Sequence, residues 1–259
     1  MQLRSAILPY LILSLYFQQQ YPLNKHKEPS TKGIEMYVAN NSERLISEYQ
    51  NIVGDTLYEV NIYTGNFNSI GDFDTASLGI FYPPNEIIIT NEEKFKAYEL
   101  SDLSNYERNN LISANNFVKG TIFHELTHYY FMQVIREMQM HEQYVSPEYN
   151  NFSIVPRLNY DIGARFIEEG ICEYMSIKSQ QFIFNKKYYV PKTTDEIFLK
   201  DKRQKVFYEY SVAYVRPFIN YYGVKKAIQL FVSTKPPTPE QILHPGSFYK
   251  QFSFVQGDF

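Results

Sequence analysis

The apolar and polar positions of the 259-residue chain alternate between two periods, and the change of period divides it. Between Ser42 and Val53 the apolar residues Leu45, Ile46, Tyr49 and Ile52 keep helical spacing. Tyr58 to Tyr63 alternates and predicts a strand. Leu78 to Tyr82 is a short apolar run, Pro83-Pro84-Asn85-Glu86 turns the chain, and Ile87-Ile88-Ile89 is a β-branched strand. These segments predict a small sheet containing a hairpin. From about Leu111 to Met140 the period becomes helical, with Val118, Ile122, Leu126 and Tyr129 along one stripe. Residues 141–160, with Pro147, Asn150, Asn151 and Pro156, predict a long loop. A second helix is expected from Ile162 to Gln181, and a short strand or hairpin over 182–190. A third helix should span Lys205 to Tyr222 and end at Gly223. Lys225 to Phe231 adds a turn or two, Pro236, Pro237 and Pro239 break it, and a last short helix falls near Phe248.

The N-terminus has a different pattern. Arg4, an apolar run from Ala6 to Phe17 and then Gln18-Gln19-Gln20 follow the order of an export signal. The run is too short to span a bilayer, which takes about 20 apolar residues. Export is the expectation, to a secreted, periplasmic or cell-surface location, with membrane association through this segment carried beside it. Residues 21–33 hold Pro22, Pro29 and Gly33 and read as a linker.

Composition narrows the chemistry. The formal charge is -3 and no basic domain is present, so nucleic acid is not expected as a partner. With one cysteine, Cys172, neither an internal disulfide nor a cysteine zinc knuckle can form. Any metal site is therefore expected from His, Glu and Asp, and only His26, His124, His128, His141 and His244 are available as histidines. His141, Lys178 and Arg216, polar residues near the motifs below, are expected to be structural or solvent-facing.

Within the first long predicted helix stands His124-Glu125-Leu126-Thr127-His128. Positions i and i+4 share a helix face, so both imidazoles can bind one metal ion. The intervening Glu125 can hold a water beside the metal and take its proton. Zinc needs a third protein ligand. An H-E-x-x-H-x-x-G-x-x-H extension fails, because Phe131 and Val134 stand where its glycine and histidine belong. The downstream segment Phe166-Ile167-Glu168-Glu169-Gly170-Ile171-Cys172-Glu173-Tyr174 offers carboxylates instead. Glu169 and Glu173, four apart, suit one ligand and one carboxylate that orients a ligating histidine.

These residues resemble the gluzincin peptidases, the group of thermolysin and the aminopeptidases related to leukotriene A4 hydrolase. Members pair H-E-x-x-H with a later aromatic-x-x-E-G-x-A-x-Y segment, and Phe166 to Tyr174 is similar to it with Cys172 in the alanine place. The resemblance implies that Glu169 is the third zinc ligand and that Glu168 points elsewhere. It places Glu173 as the carboxylate hydrogen-bonded to a ligating histidine. Tyr208-Glu209-Tyr210-Ser211 resembles the family's Y-x-x-[GS] helix, so Tyr208 is the implied oxyanion stabiliser, with Tyr210 and Tyr214 its competitors.

The likeness spans roughly residues 75–225. It departs in a longer gap between His128 and Glu169, which implies an insertion folded away from the cleft, and in the absence of a G-x-M-E-N segment. The implied fold is α+β: a thermolysin-like zincin domain with a small mixed sheet and active-site helix, then a mainly helical lobe. The implied layout is a signal peptide or N-terminal anchor over 1–22, a linker over 23–33, and a sheet-bearing lobe over 34–140. A helical lobe with the third ligand follows over 141–259. The implied activity is peptide-bond hydrolysis by a metal-activated water, with one Zn2+ per chain and a peptide or protein substrate. Three alternatives stand beside it: a zinc hydrolase of a non-peptide substrate, a catalytically silent zincin-fold binding protein, and a membrane-anchored interaction protein resting on the N-terminus alone.

Overall fold

The computed structural model describes residues 32–65, 78–82, 84–90, 114–142, 162–180, 190–198 and 204–252. The expected export segment, linker, long loop and hairpin near Asn185 fall largely or wholly outside them. The elements, in order, are α1 (Lys32–Val53), β1 (Asn61–Gly65), β2 (Gly79–Tyr82), β3 (Glu86–Thr90), α2 (Ala114–Glu142), α3 (Ile162–Ser179), α4 (Thr194–Phe198), α5 (Gln204–Tyr222), α6 (Val224–Ser233), α7 (Pro239–Leu243) and α8 (Pro245–Tyr249). A small mixed sheet is thus followed by the helix that bears the histidine pair, and then by a largely helical remainder, the order expected of a thermolysin-like arrangement.

Helix α1 begins ten residues before the expected Ser42. Its buried stripe is Ile34, Val38, Leu45, Tyr49 and Val53, spaced by fours and a seven. Asn40, Asn41 and Ser42 interrupt that stripe in the sequence. In the helix, Asn41 and Ser42 donate back to the carbonyls of Tyr37 and Val38, one turn earlier.

The sheet order is β1-β3-β2, with β1 parallel and β2 antiparallel to β3. The predicted hairpin is β2–β3. The central strand β3 buries Ile87, Ile88 and Ile89 in succession, as a strand covered on both faces does. Strand β1 lies at Asn61–Gly65, three residues beyond the expected start, because its partner is β3 rather than a sequence neighbour.

Two compact units divide the described residues. One draws on the described residues within 32–52, 57–126 and 175–180, the other on those within 53–56, 127–174 and 190–252. In the first unit α1 lies against the N-terminal half of α2. The Tyr49 and Phe123 rings meet edge to face at 5.4 Å, and the Lys119 ammonium pairs with Glu48.

The second unit has an aromatic core. Phe218 packs on Phe231, Tyr249 and Phe252 with ring centroids 4.8–4.9 Å apart. Phe166 of α3 meets Tyr214 of α5 at 5.3 Å. Helix α3 can approach α5 closely because of Gly170: a Cβ there would stand 2.7 Å from the Ser211 carbonyl oxygen. Helix α5 ends at Gly223, whose φ of 77° is the left-handed stop expected from the sequence.

Asp55 ties the turn after α1 into this unit. Its carboxylate accepts from the Tyr130 hydroxyl at 2.8 Å and pairs with Lys225 at 2.6 Å. Partial burial works against the ionised form, but Lys225 and Tyr130 hold the Asp55 carboxyl below its ordinary 3.8. Asp55→Ala is expected to destabilise by about 1–3 kcal/mol, because the Tyr130 hydroxyl loses its acceptor. The depressed value adds an ionic part, with Lys225, that is present above pH 3.8 and is lost as pH falls through the lower folded value. Urea melts at pH 7 and below 3.8 should therefore show the gap between wild type and Asp55→Ala narrowing in acid.

One expectation is corrected. Membrane association through the N-terminal apolar segment is not upheld: among the described residues no helix is long and apolar enough to cross a membrane.

Candidate metal centre

Helix α2 is apolar on nearly every side from Val118 to Ile135, so any polar residue inside that stretch stands out. His124, Glu125 and Thr127 are buried there, and His128 is one-fifth exposed. Helix α3 presents Arg165, Glu168, Glu169 and Cys172 at spacings of three and four, which is one face.

His124, His128 and Cys172 bring ligand atoms within 4.8 Å of one another. The cluster is positioned for metal binding. Around a tetrahedral zinc with bonds of about 2.0–2.3 Å, neighbouring ligand atoms stand roughly 3.3–3.7 Å apart, so a small inward adjustment closes the group. The orientation of His128 fits the same role. Its Nδ1 lies 2.7 Å from Glu168 Oε1, which leaves Nε2 as the coordinating atom. Nε2 in turn stands 3.7 Å from Glu169 Oε2. Two imidazoles, a thiol and a carboxylate are a donor set that zinc accepts.

Two expectations change here. Cys172 joins the cluster, although the sequence reading confined metal ligands to His, Glu and Asp. Its position was legible in principle, four residues after Glu168 and three after Glu169, hence on their face. Glu168, expected to point elsewhere, is the carboxylate on His128. Adjacent helical residues are about 100° apart, so a neighbour of Glu169 still reaches the same side. Glu173, expected on a ligating histidine, is fully buried and lies near Glu169 and Tyr208.

Charge within this group is concentrated. Burial alone would lower the His128 pKa, but the Cys172 thiol and the Glu168 carboxylate carry it well above 6.5. Burial pushes the Cys172 thiol up, against the opposing pull of His128. Burial raises Glu169 too, against His128 and Arg165. Glu173 is pushed up to about 8 by burial and then by the charge of Glu169. Metal binding must therefore displace protons, which makes affinity pH-dependent.

The tyrosines of α5 separate by their partners. Tyr210 donates to the Ile242 carbonyl at 2.9 Å and Tyr214 to that of Gln241 at 3.3 Å, both on α7. Tyr208 instead hydrogen-bonds Arg165 and lies beside Glu169. Arg165, which the sequence reading passed over, also pairs with Glu169 at 3.7 Å. Its place four residues before Glu169 was the available signal.

Glu125 faces the sheet. Thr90 N–H bonds the Leu78 carbonyl, so Ile80 and Tyr82 also turn their backbone groups to β3. Gly79 and Phe81 then turn theirs to the outer edge, and the Phe81 N–H donates to Glu125 Oε2 at 2.8 Å. The strand can lie this close because residue 79 is glycine: a Cβ there would sit 2.7 Å from Thr121 Cγ2 and 2.8 Å from Glu125 Cγ.

A scan against protein-family models, a search of curated proteins and a search of solved structures each gave no match. The class is therefore defined by the site itself: a His/His/Cys cluster of the kind that forms a zinc-binding catalytic centre, on an α+β frame.

Glu168→Gln is expected to weaken zinc binding by about 10–100-fold, as loss of a carboxylate behind a ligating histidine does. Competition titration with a chromophoric chelator checks it, with thermal unfolding of the metal-free protein as the control for folding.

Proposed function

We propose that the protein is a zinc-dependent metallopeptidase. The observation that carries this reading is the bond from the Phe81 N–H to Glu125, which sets a general base against the outward edge of β2. A strand edge is where an extended peptide backbone adds, by main-chain hydrogen bonds. A peptide laid along Gly79–Tyr82 would pass the carboxylate of Glu125.

In this reading His124, His128 and Glu169 would hold one zinc ion per chain, which would lower the pKa of a water and polarise the scissile carbonyl. Glu125 takes the proton from the attacking water and later delivers it to the leaving amine. Tyr208, kept in place by Arg165, donates its hydroxyl to the developing oxyanion. Glu168 fixes the His128 ring through Nδ1. Glu173 is buried on the same helix, near enough to Glu169 to feel its charge.

The test is a mixed peptide library incubated with zinc-loaded full-length protein, with new termini read by mass spectrometry. Cleavage by wild type and none by Glu125→Gln supports the reading. A zinc-loaded wild type that cuts no peptide would overturn it.

A further inference from the structure

Two residues of α3 bring donor atoms towards the same histidine. Cys172 lies in the group whose ligand atoms are within 4.8 Å, with both histidines, and its thiol is hydrogen-bonded to His128. Glu169 approaches His128 Nε2 to 3.7 Å, but its other oxygen is paired with Arg165 Nε, also at 3.7 Å. The thiol and the carboxylate are one helical turn apart on one face, so a small movement of α3 or of either side chain exchanges them.

We propose that the Cys172 sulfur ligates the metal in the resting protein and that Glu169, held meanwhile on Arg165, replaces it for catalysis. The inference rests on the zinc-peptidase reading and adds a regulatory device to it. Its basis is the chemistry of the donors. A thiolate is the softest of the four and binds zinc strongly. It also donates more electron density to the ion than the harder carboxylate that would replace it, which disfavours ionisation of a water there. A site resting on sulfur is therefore stable and less active, and a site resting on carboxylate is the working form. Ligand exchange needs no oxidant, since the sulfur leaves as a thiolate or takes up a proton from solvent. A reagent that caps the thiol would hold the site in the Glu169 form.

Cobalt(II) replaces zinc and reports sulfur directly, through a thiolate-to-metal charge-transfer band in the near ultraviolet. The full-length protein loaded with cobalt should show this band at one metal per chain. Cys172→Ala should lose the band, keep one metal per chain, and cleave peptide several-fold faster with zinc. Cobalt bound by wild type at one per chain without the band would overturn the proposal and leave the peptidase reading standing. A band in wild type combined with slower cleavage by Cys172→Ala would also overturn it, by making sulfur the catalytic ligand. No metal bound by wild type would overturn both readings together. The wild-type spectrum alone decides the ligation if Cys172→Ala does not fold, and Cys172→Ser then serves as the variant for rate.

Discussion

Glu125→Gln should keep one zinc per chain and lose peptide cleavage by about 100–10,000-fold, the usual contribution of a general base. The substitution is nearly isosteric, and the amide oxygen can still accept from the Phe81 N–H that holds the side chain now. The close fit of Gly79 over the Glu125 Cγ is unchanged. Folding and metal binding are therefore separated from proton transfer, which the amide cannot perform. Zinc content by elemental analysis and turnover on a cleaved peptide measure the two properties on one sample. Near-normal turnover in the variant would remove Glu125 from the chemistry and require a different general base.

The parts of this structure that were legible in the sequence are those set by local spacing. His124, Glu125 and His128 share a helix because the whole stretch from Val118 to Ile135 has helical apolar content, and their own spacing puts both imidazoles on one side. The hairpin of β2 and β3 was legible from Pro83-Pro84-Asn85 between two apolar runs. The parallel pairing of β1 with β3 was not, because it joins segments separated by more than twenty residues and no local pattern encodes it. The start of α1 was hidden by Asn40, Asn41 and Ser42, and the bonds of Asn41 and Ser42 to the preceding turn are visible only once the helix exists.

The site divides in the same way. That α3 would supply acidic residues followed from its sequence. Which carboxylate meets His128 depends on how α3 is rotated, and Glu168 and Glu169 differ by a single helical step. The same holds for α5: Tyr208, Tyr210 and Tyr214 are equivalent by composition, and only the carbonyls of Ile242 and Gln241 draw two of them away from Arg165. Cys172 was read as standing in the alanine place of the resembled segment, and a single cysteine was taken to exclude a cysteine zinc knuckle. Its place beside two imidazoles gives it a different meaning.

His128→Ala has the largest expected effect on the metal. His128 contributes Nε2 to the cluster, and its Nδ1 is the partner of Glu168 at 2.7 Å. Removing the ring takes away one ligand and leaves the Glu168 carboxylate without the group it orients. Loss of a carboxylate behind such a histidine already weakens a metal site by about 10–100-fold, so loss of the histidine itself should exceed that range. Zinc that binds the folded state stabilises it, by about 2.7 kcal/mol when the free ion is at 100 times its dissociation constant. Wild type should therefore melt at a higher temperature with added zinc, and His128→Ala should melt at the same temperature with or without it. Peptide cleavage should vanish together with the thermal shift, whereas in Glu125→Gln cleavage vanishes and the shift remains. If His128→Ala still held one zinc per chain and kept the thermal shift, the ion would be bound elsewhere and α2 would not be its site.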